Sequence, residues 1–428
     1  MIYPFINRFL HWFSTGLMIP VLVLMLLSKG VPLQQAGFVL ACMSVVMVTM
    51  ELPSGILSDL LGRKKIYLLS ISISLLAVSL LLFSSGLLFM CAAFAAHGLA
   101  RALSSGSIES SFIDAWIRKQ GKEKLHSLVT VMNIGEAAGL ASGAVLGGLL
   151  PDLWLRLRPE SNQFSGNFLA QLSILAILLA STLPYKDQAA SEKPLTLRRL
   201  ATESAVVIKS SPILKILLLA GLLWGFTFNA IELYWQPRLQ TLLPPDNSGL
   251  WFFGVINSGF FLTAIVGSLL MNLLLSKLKI NNVLAAAILR MCLAGTLWLL
   301  AMQNGVAAFS TLYLMLMLCN GMLNIPEASL FNSIVPSAQR ASFLSLSSLL
   351  VQLGGIAGAL VFSLLLPLLG ITGVWRLAAA VMLLSAGALL LLSGRKVQTV
   401  QSTTAGLADG PAGMPASTVL DKPSQGKL

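Results

Sequence analysis

Apolar runs of about 20 residues, separated by short polar turns, repeat along nearly the whole chain. At a rise of 1.5 Å per residue, about 20 apolar residues in a helix cross the hydrocarbon core of a bilayer. The pattern predicts six such helices near 5–28, 35–58, 66–84, 87–116, 125–150 and 167–183. Six more follow near 213–236, 249–276, 283–302, 307–334, 342–367 and 374–394. The longest polar connection within the apolar region, "PYKDQAASEKPLTLRRLATESAVVIKSSP", separates the two sets. Beyond the last run the residues are small, polar and turn-forming, which predicts a disordered tail over 395–428. The expected protein is all-α, with an N-terminal six-helix bundle (1–183), a linker (184–212) and a C-terminal six-helix bundle (213–394). The first run is long enough to span and no small-residue cleavage site follows it, so it reads as a retained helix, not a signal peptide.

Composition makes lipid the solvent. Hydrophobic residues are 56% and charged residues 10% of the chain, with a mean hydropathy of +0.84, against about 25% charged in a soluble domain. The net charge of +12 forms no continuous basic face, which excludes nucleic acid as the expected partner. Instead the basic residues cluster between apolar runs. With both termini placed in the cytoplasm, twenty-one of the 28 Lys and Arg fall inside, five outside, and Arg101 and Arg290 lie within spans. Such a bias fixes orientation under the positive-inside rule. Cys42, Cys91, Cys292 and Cys319 sit in apolar runs without metal-ligand spacing, so they read as small core residues. No phosphate-binding glycine loop and no catalytic constellation occurs, which argues against an enzyme and against any bound cofactor or metal.

The two halves echo each other. "GEAAGLASGAVLGGLLP" in the fifth span aligns on its closing Leu-Pro with "VQLGGIAGALVFSLLLP" in the eleventh, which sets Glu136 against Gln352 and Gly139 against Gly355. A parallel six-plus-six repeat is the mark of a two-bundle transporter.

Ionisable groups at mid-membrane are costly and mark function by default. His97, Arg101, Ser105 and Glu109 recur at every fourth residue, predicting one face of the fourth span. Arg101 and Glu136 lie at depths that agree to about one helical turn, ~5.4 Å, so they are expected to pair, either as a transport site or as a structural ion pair. Arg290 and Glu327 match in depth likewise, and read as structural; Glu327 follows Pro326, and with Asn320 and Asn324 forms a candidate cavity wall. The outer half of the seventh span carries Asn229, Glu232, Tyr234, Trp235 and Gln236. This cluster is either an interfacial aromatic belt or an aromatic wall with one acid, suited to a bulky or cationic amphiphile.

One charged turn, "GILSDLLGRKK", stands between the second and third spans. Gly55 is small enough for a neighbouring helix to approach, and Gly62 permits the left-handed residue that ends a helix. Asp59 opposes the helix dipole near that end unless a cation answers it, and Arg63 and Arg118 are the candidates. Gly55, Asp59, Gly62, Arg63 and Lys64 match, in order and spacing, the G-x-x-x-D-x-x-G-R-[RK] loop of the major facilitator superfamily, which the chain resembles over its whole apolar region. The resemblance implies a latch between bundles; the physical alternative is a positive-inside anchor. "GLARALSSGSIESSFIDAW" looks like the fourth span of the bacterial drug-efflux members, although Arg101 precedes Gly106 by five residues where the efflux pattern has four. The fifth span resembles their antiporter signature at Gly139, Gly143, Gly147 and Gly148, small residues suited to close helix packing, with Ala144 where the signature has Pro.

The expected protein is therefore a monomeric, twelve-span transporter of a bacterial inner membrane. It would export a small amphiphilic drug or metabolite by alternating access, driven by a proton that Glu136 or Glu109 takes up. An uptake symporter for a polar nutrient and a non-transporting receptor or assembly partner are the alternatives.

Overall fold

In lipid every peptide group must find its partner within its own segment, and a helix achieves this for each apolar run. The computed structural model describes residues 1–121, 123–185, 212–243, 249–278, 280–335 and 340–393, and all regular structure among them is helical. The proposed linker falls almost entirely, and the proposed tail entirely, outside the described residues.

Helix α1 (Ile2–Gly16) leads through a 3-10 turn at Ile19–Val21, where Pro20 sits, into the short α2 (Leu22–Ser28). Then come α3 (Leu33–Leu61), α4 (Arg63–Phe83), α5 (Leu87–Ser104), α6 (Ser107–Gln120), α7 (Leu125–Leu157) and α8 (Ser165–Thr182). The second half has α9 (Pro212–Leu242), α10 (Trp251–Leu278), α11 (Asn282–Ala301), α12 (Val306–Ile334) and α13 (Arg340–Ser393). Eleven stretches among the described residues are long and apolar enough to cross a membrane. The last of them covers both of the final two expected spans, and Gly370 (φ 63°) breaks it in the middle.

The fourth expected span is not one helix. Gly106 is left-handed (φ 66°) and separates α5 from α6, because the run Ser104-Ser105-Gly106-Ser107 has little helix propensity. The four-residue ladder from His97 to Glu109 therefore does not share one face: His97 and Arg101 belong to α5, Glu109 to the first turn of α6.

Glycines bring α1 and α7 together. A Cβ at Gly139 would stand 2.5 Å from the Phe9 carbonyl oxygen, and one at Gly143 2.5 Å from that of Phe13; Gly147 meets Leu17 in the same way. The same arrangement joins α9 and α13, where Gly354 and Gly358 face Leu222 and Phe226. In this packing Gly143 corresponds to Gly358, one residue away from the register given by the Leu-Pro alignment, because contact between backbones sets the register and the prolines lie outside it.

Contacts between the two halves run mainly through α7 with α10 and α3 with α13. Gly148 meets Gly254 backbone to backbone, a Cβ there lying 2.6 Å from the Gly254 nitrogen. The Gln236 side chain accepts from the Val23 amide (2.8 Å) and donates to the Ile19 carbonyl (2.7 Å). Ser258 donates to the Ala141 carbonyl (3.0 Å) and the Trp251 amide to Asp152 (3.4 Å). Ser258 meets Ala141 at the middle of α7, and the other links lie toward the end of the helices opposite the "GILSDLLGRKK" turn.

Candidate transport cavity

A cavity of about 430 Å³ lies between the halves. Its first-half wall is built by α1, the 3-10 turn, α2, α3, α4, α5 and α8, its second-half wall by α9, α10 and α12. Phe94, Phe260, Phe261 and Met18 make much of the lining apolar.

Arg101 enters this cavity from the last turn of α5, with His97 one turn before it. Its guanidinium lies over the Trp12 ring, 5.3 Å from the centroid, and among the described residues it forms no ion pair. The expected partner, Glu136, is taken by Arg8, at 2.5 Å, and Arg8 also reaches Glu109 at 3.4 Å. The reason is rotational. The stripe Gly135–Gly139–Gly143 turns that side of α7 toward α1, so the cation that meets Glu136 comes from α1 and not from α5. Arg8 stacks on the same indole at 5.6 Å, so Trp12 carries one guanidinium in direct ion pairs and one, Arg101, that the Glu136 charge reaches only from beyond ion-pair distance. Neither Glu136 nor Glu109 lines the cavity.

In the second half Asn229, Glu232, Trp235 and Gln236 share one face of α9 and line the cavity. Trp235 is only 3% exposed and stacks on Tyr313 at 5.1 Å, so its ring packs among helices rather than against lipid. Glu232 is exposed, yet deep among the helices: what it is exposed to is the cavity. It has no ion-pair partner among the described residues. One polar atom each of Gln171, Asn229 and Asn257 is also buried without a hydrogen-bond partner.

Asn324 and Glu327 do not line this cavity. Glu327 pairs with the fully buried Arg290 (2.6 Å), which also donates to Ser385 (2.6 Å), and Asn320 accepts from Trp224 (2.9 Å). These bonds tie α11, α12 and α13 to one another and α12 to α9 behind the cavity wall.

The charged turn also differs from expectation. Gly62 ends α3 at φ 96°, but Arg63 pairs with Asp114 of α6 at 2.5 Å. Asp59 and Arg118 are both exposed, without an ion pair among the described residues. A Cβ on Gly55 would meet nothing within 4 Å. Both Gly55 and Asp59 are exposed among the described residues. Lys64 bonds the Leu183 carbonyl (2.6 Å).

A polar seam inside the first half was not anticipated. The Tyr67 hydroxyl donates to Asn7 (3.2 Å) and meets His11 Nδ1 (3.3 Å), and Asn7 donates to Thr182 (3.4 Å). The spacing of Asn7, His11 and Ser14 along α1, four residues and then three, is the helical signal that marks this inward face.

Helices of crossing length around a central cavity with unpaired charges define a multi-pass membrane protein with a transporter fold. The family model of the Major Facilitator Superfamily matches residues 5–250, and the chain belongs to that superfamily. No curated protein matches the sequence significantly. Among solved structures, the nucleoside transporter NupG is similar with a TM-score of 0.76 at 16% identity, covering 92% of this chain and 99% of its own. A bacterial homologue of the human lysosomal transporter Spinster, inward-facing and occupied, has a TM-score of 0.75 at 11% identity, covering 92% of this chain and 96% of its own. A D-xylose-proton symporter has 0.68 at 13% identity, covering 94% and 98%. Likeness at these identities concerns the fold alone, and nothing in it singles out the drug-efflux branch.

Proposed function

We propose that this protein is a secondary active transporter that exports one small amphiphilic molecule at a time through the central cavity, in exchange for a proton. The observation that carries the reading is the unpaired Arg101 guanidinium, held on Trp12 in the wall of a cavity between the halves. A charge at mid-membrane without a direct ion pair is expensive, and a substrate that supplies one gains much of its affinity there. Two six-helix bundles, with both termini in the cytoplasm of a bacterial cell, rock about this site as a monomer. By the positive-inside bias the end with Asp59 is cytoplasmic, and substrate enters there.

The proton carrier is Glu232, in place of Glu136 or Glu109, whose charges Arg8 already engages. Glu232 is the carboxylate that faces the cavity without a cation, so a proton from outside and a cationic group of the substrate compete for it. Competition of two ligands for one group is what exchange requires, since each displaces the other as the populations of the two open states shift.

The test is susceptibility to a panel of amphiphilic drugs and dyes in cells stripped of their main efflux pumps. Wild type, Arg101→Ala and Glu232→Gln are compared at matched membrane abundance. Resistance to some compounds with wild type, lost in both variants, supports the reading. Everted vesicles should then release protons when such a compound is added. Compounds that accumulate in the cells in a wild-type-dependent way would replace export with uptake, and no change with any compound would remove the reading.

A further inference from the structure

The central cavity carries one cation and one carboxylate on opposite halves of the chain, Arg101 on α5 and Glu232 on α9, and neither has a charged partner among the described residues. Glu136 and Glu109 make their direct ion pairs with Arg8, and the Glu136 charge reaches Arg101 only from beyond ion-pair distance. Around them, Gln171, Asn229 and Asn257 each hold a buried polar atom with no hydrogen-bond partner. Unsatisfied groups of this kind are rare in folded proteins and call for an explanation. Two charges without an ion pair and three unsatisfied amides in one space amount to the imprint of a ligand that answers them.

That imprint has a charge pattern. A singly charged ligand would answer Arg101 or Glu232 and leave the other desolvated and alone, which is the costly arrangement for a buried charge. A molecule with an anionic and a cationic end answers both, and in doing so spans the two halves. The amides take the remaining donors and acceptors of a carboxylate, an ammonium or a peptide group between them. Phe94, Phe260, Phe261 and Trp235 supply apolar wall for a side group. A volume of about 430 Å³ is at the small end of ligand pockets, about 300–1,000 Å³, which suits one molecule of amino-acid to dipeptide size.

We infer that the substrate is a small zwitterion with an apolar side group, its carboxylate on Arg101 and its ammonium on Glu232. This rests on the transporter reading above and narrows it. It also gives the exchange its chemistry: the substrate ammonium and the incoming proton compete for the Glu232 carboxylate.

The test uses the purified full chain in nanodiscs and calorimetric binding of phenylalanine and of phenylalanyl-alanine, each alongside its N-acetyl form and its C-terminal amide. At least one free zwitterion is expected to bind ten times or more tightly than both of its blocked forms. In Arg101→Gln the zwitterion and the amide should bind alike; in Glu232→Gln the zwitterion and the N-acetyl form should. The wild-type comparison stands even where a variant fails to fold. Equal binding of free and blocked forms, or no binding of either zwitterion up to millimolar concentration, overturns the inference. If that happens while pump-deficient cells still show Arg101-dependent resistance to other amphiphiles, the transporter reading survives and the zwitterion falls alone.

Discussion

Replacing Glu327 by Leu should destabilise the protein far more than replacing Glu327 and Arg290 together. Arg290 is fully buried, and its charge is met by Glu327 at 2.6 Å with Ser385 as the further polar oxygen. Removing the carboxylate leaves a guanidinium in a low-dielectric interior with one hydroxyl for company, a loss of ~3–5 kcal/mol for a buried pair. Glu327 keeps 27% of its side chain exposed, which argues for the lower end, ~3 kcal/mol. Arg290→Met strands a carboxylate that is less buried than the guanidinium and can take up a proton, so it should cost less, ~1–2 kcal/mol. The double variant Arg290→Met/Glu327→Leu trades the pair for apolar side chains and should fall within ~1 kcal/mol of wild type. The cycle then yields a coupling of ~3 kcal/mol or more, read by equilibrium unfolding in mixed micelles. Additive single effects below ~1 kcal/mol would refute the argument. So would a Glu327→Leu protein of normal stability that no longer transports, because the residue would then act in the cycle and not in the packing.

Gly148→Val should force α7 and α10 apart, since a Cβ there would lie 2.6 Å from the Gly254 nitrogen. Labelling of a cysteine at position 257 by an impermeant maleimide from the side opposite the "GILSDLLGRKK" turn, in a background without native cysteines, should rise severalfold, and unchanged labelling sinks the idea. Glu136→Gln alone should cost ~1 kcal/mol, because Arg8 keeps Glu109 at 3.4 Å. Glu109→Gln/Glu136→Gln should cost clearly more than the two singles combined, by unfolding in micelles, and strict additivity would contradict the shared-cation arrangement. Asp59→Asn should leave the unfolding midpoint in place, as Asp59 is exposed without an ion pair among the described residues, while slowing turnover in proteoliposomes if the turn latches the other state; full turnover would reduce it to an anchor.

The spans were legible because lipid leaves the sequence little freedom: any crossing segment must be long, apolar and helical. Depth was legible for the same reason, and it matched Arg290 with Glu327 correctly. Rotation about the helix axis was not, and there the expectation for Arg101 failed. Depth alone allows Glu136 either arginine, but the glycines at 135, 139 and 143 decide which helix that side of α7 meets. The signal was present in those glycines, which suggested close packing without saying which helix they would meet. The break at Gly106 is likewise visible in the Ser-Ser-Gly-Ser run, yet an unbroken apolar count passes over it. Around Trp12 the chain gathers two arginines and two carboxylates, Arg8, Arg101, Glu109 and Glu136. By count they could form two closed ion pairs and leave nothing for a ligand. Because Arg8 holds both acids, Arg101 is left to the cavity, and the same arithmetic in the second half leaves Glu232 facing it. What the composition cannot express is this division of partners, and it is the division that makes a set of buried charges into a binding site.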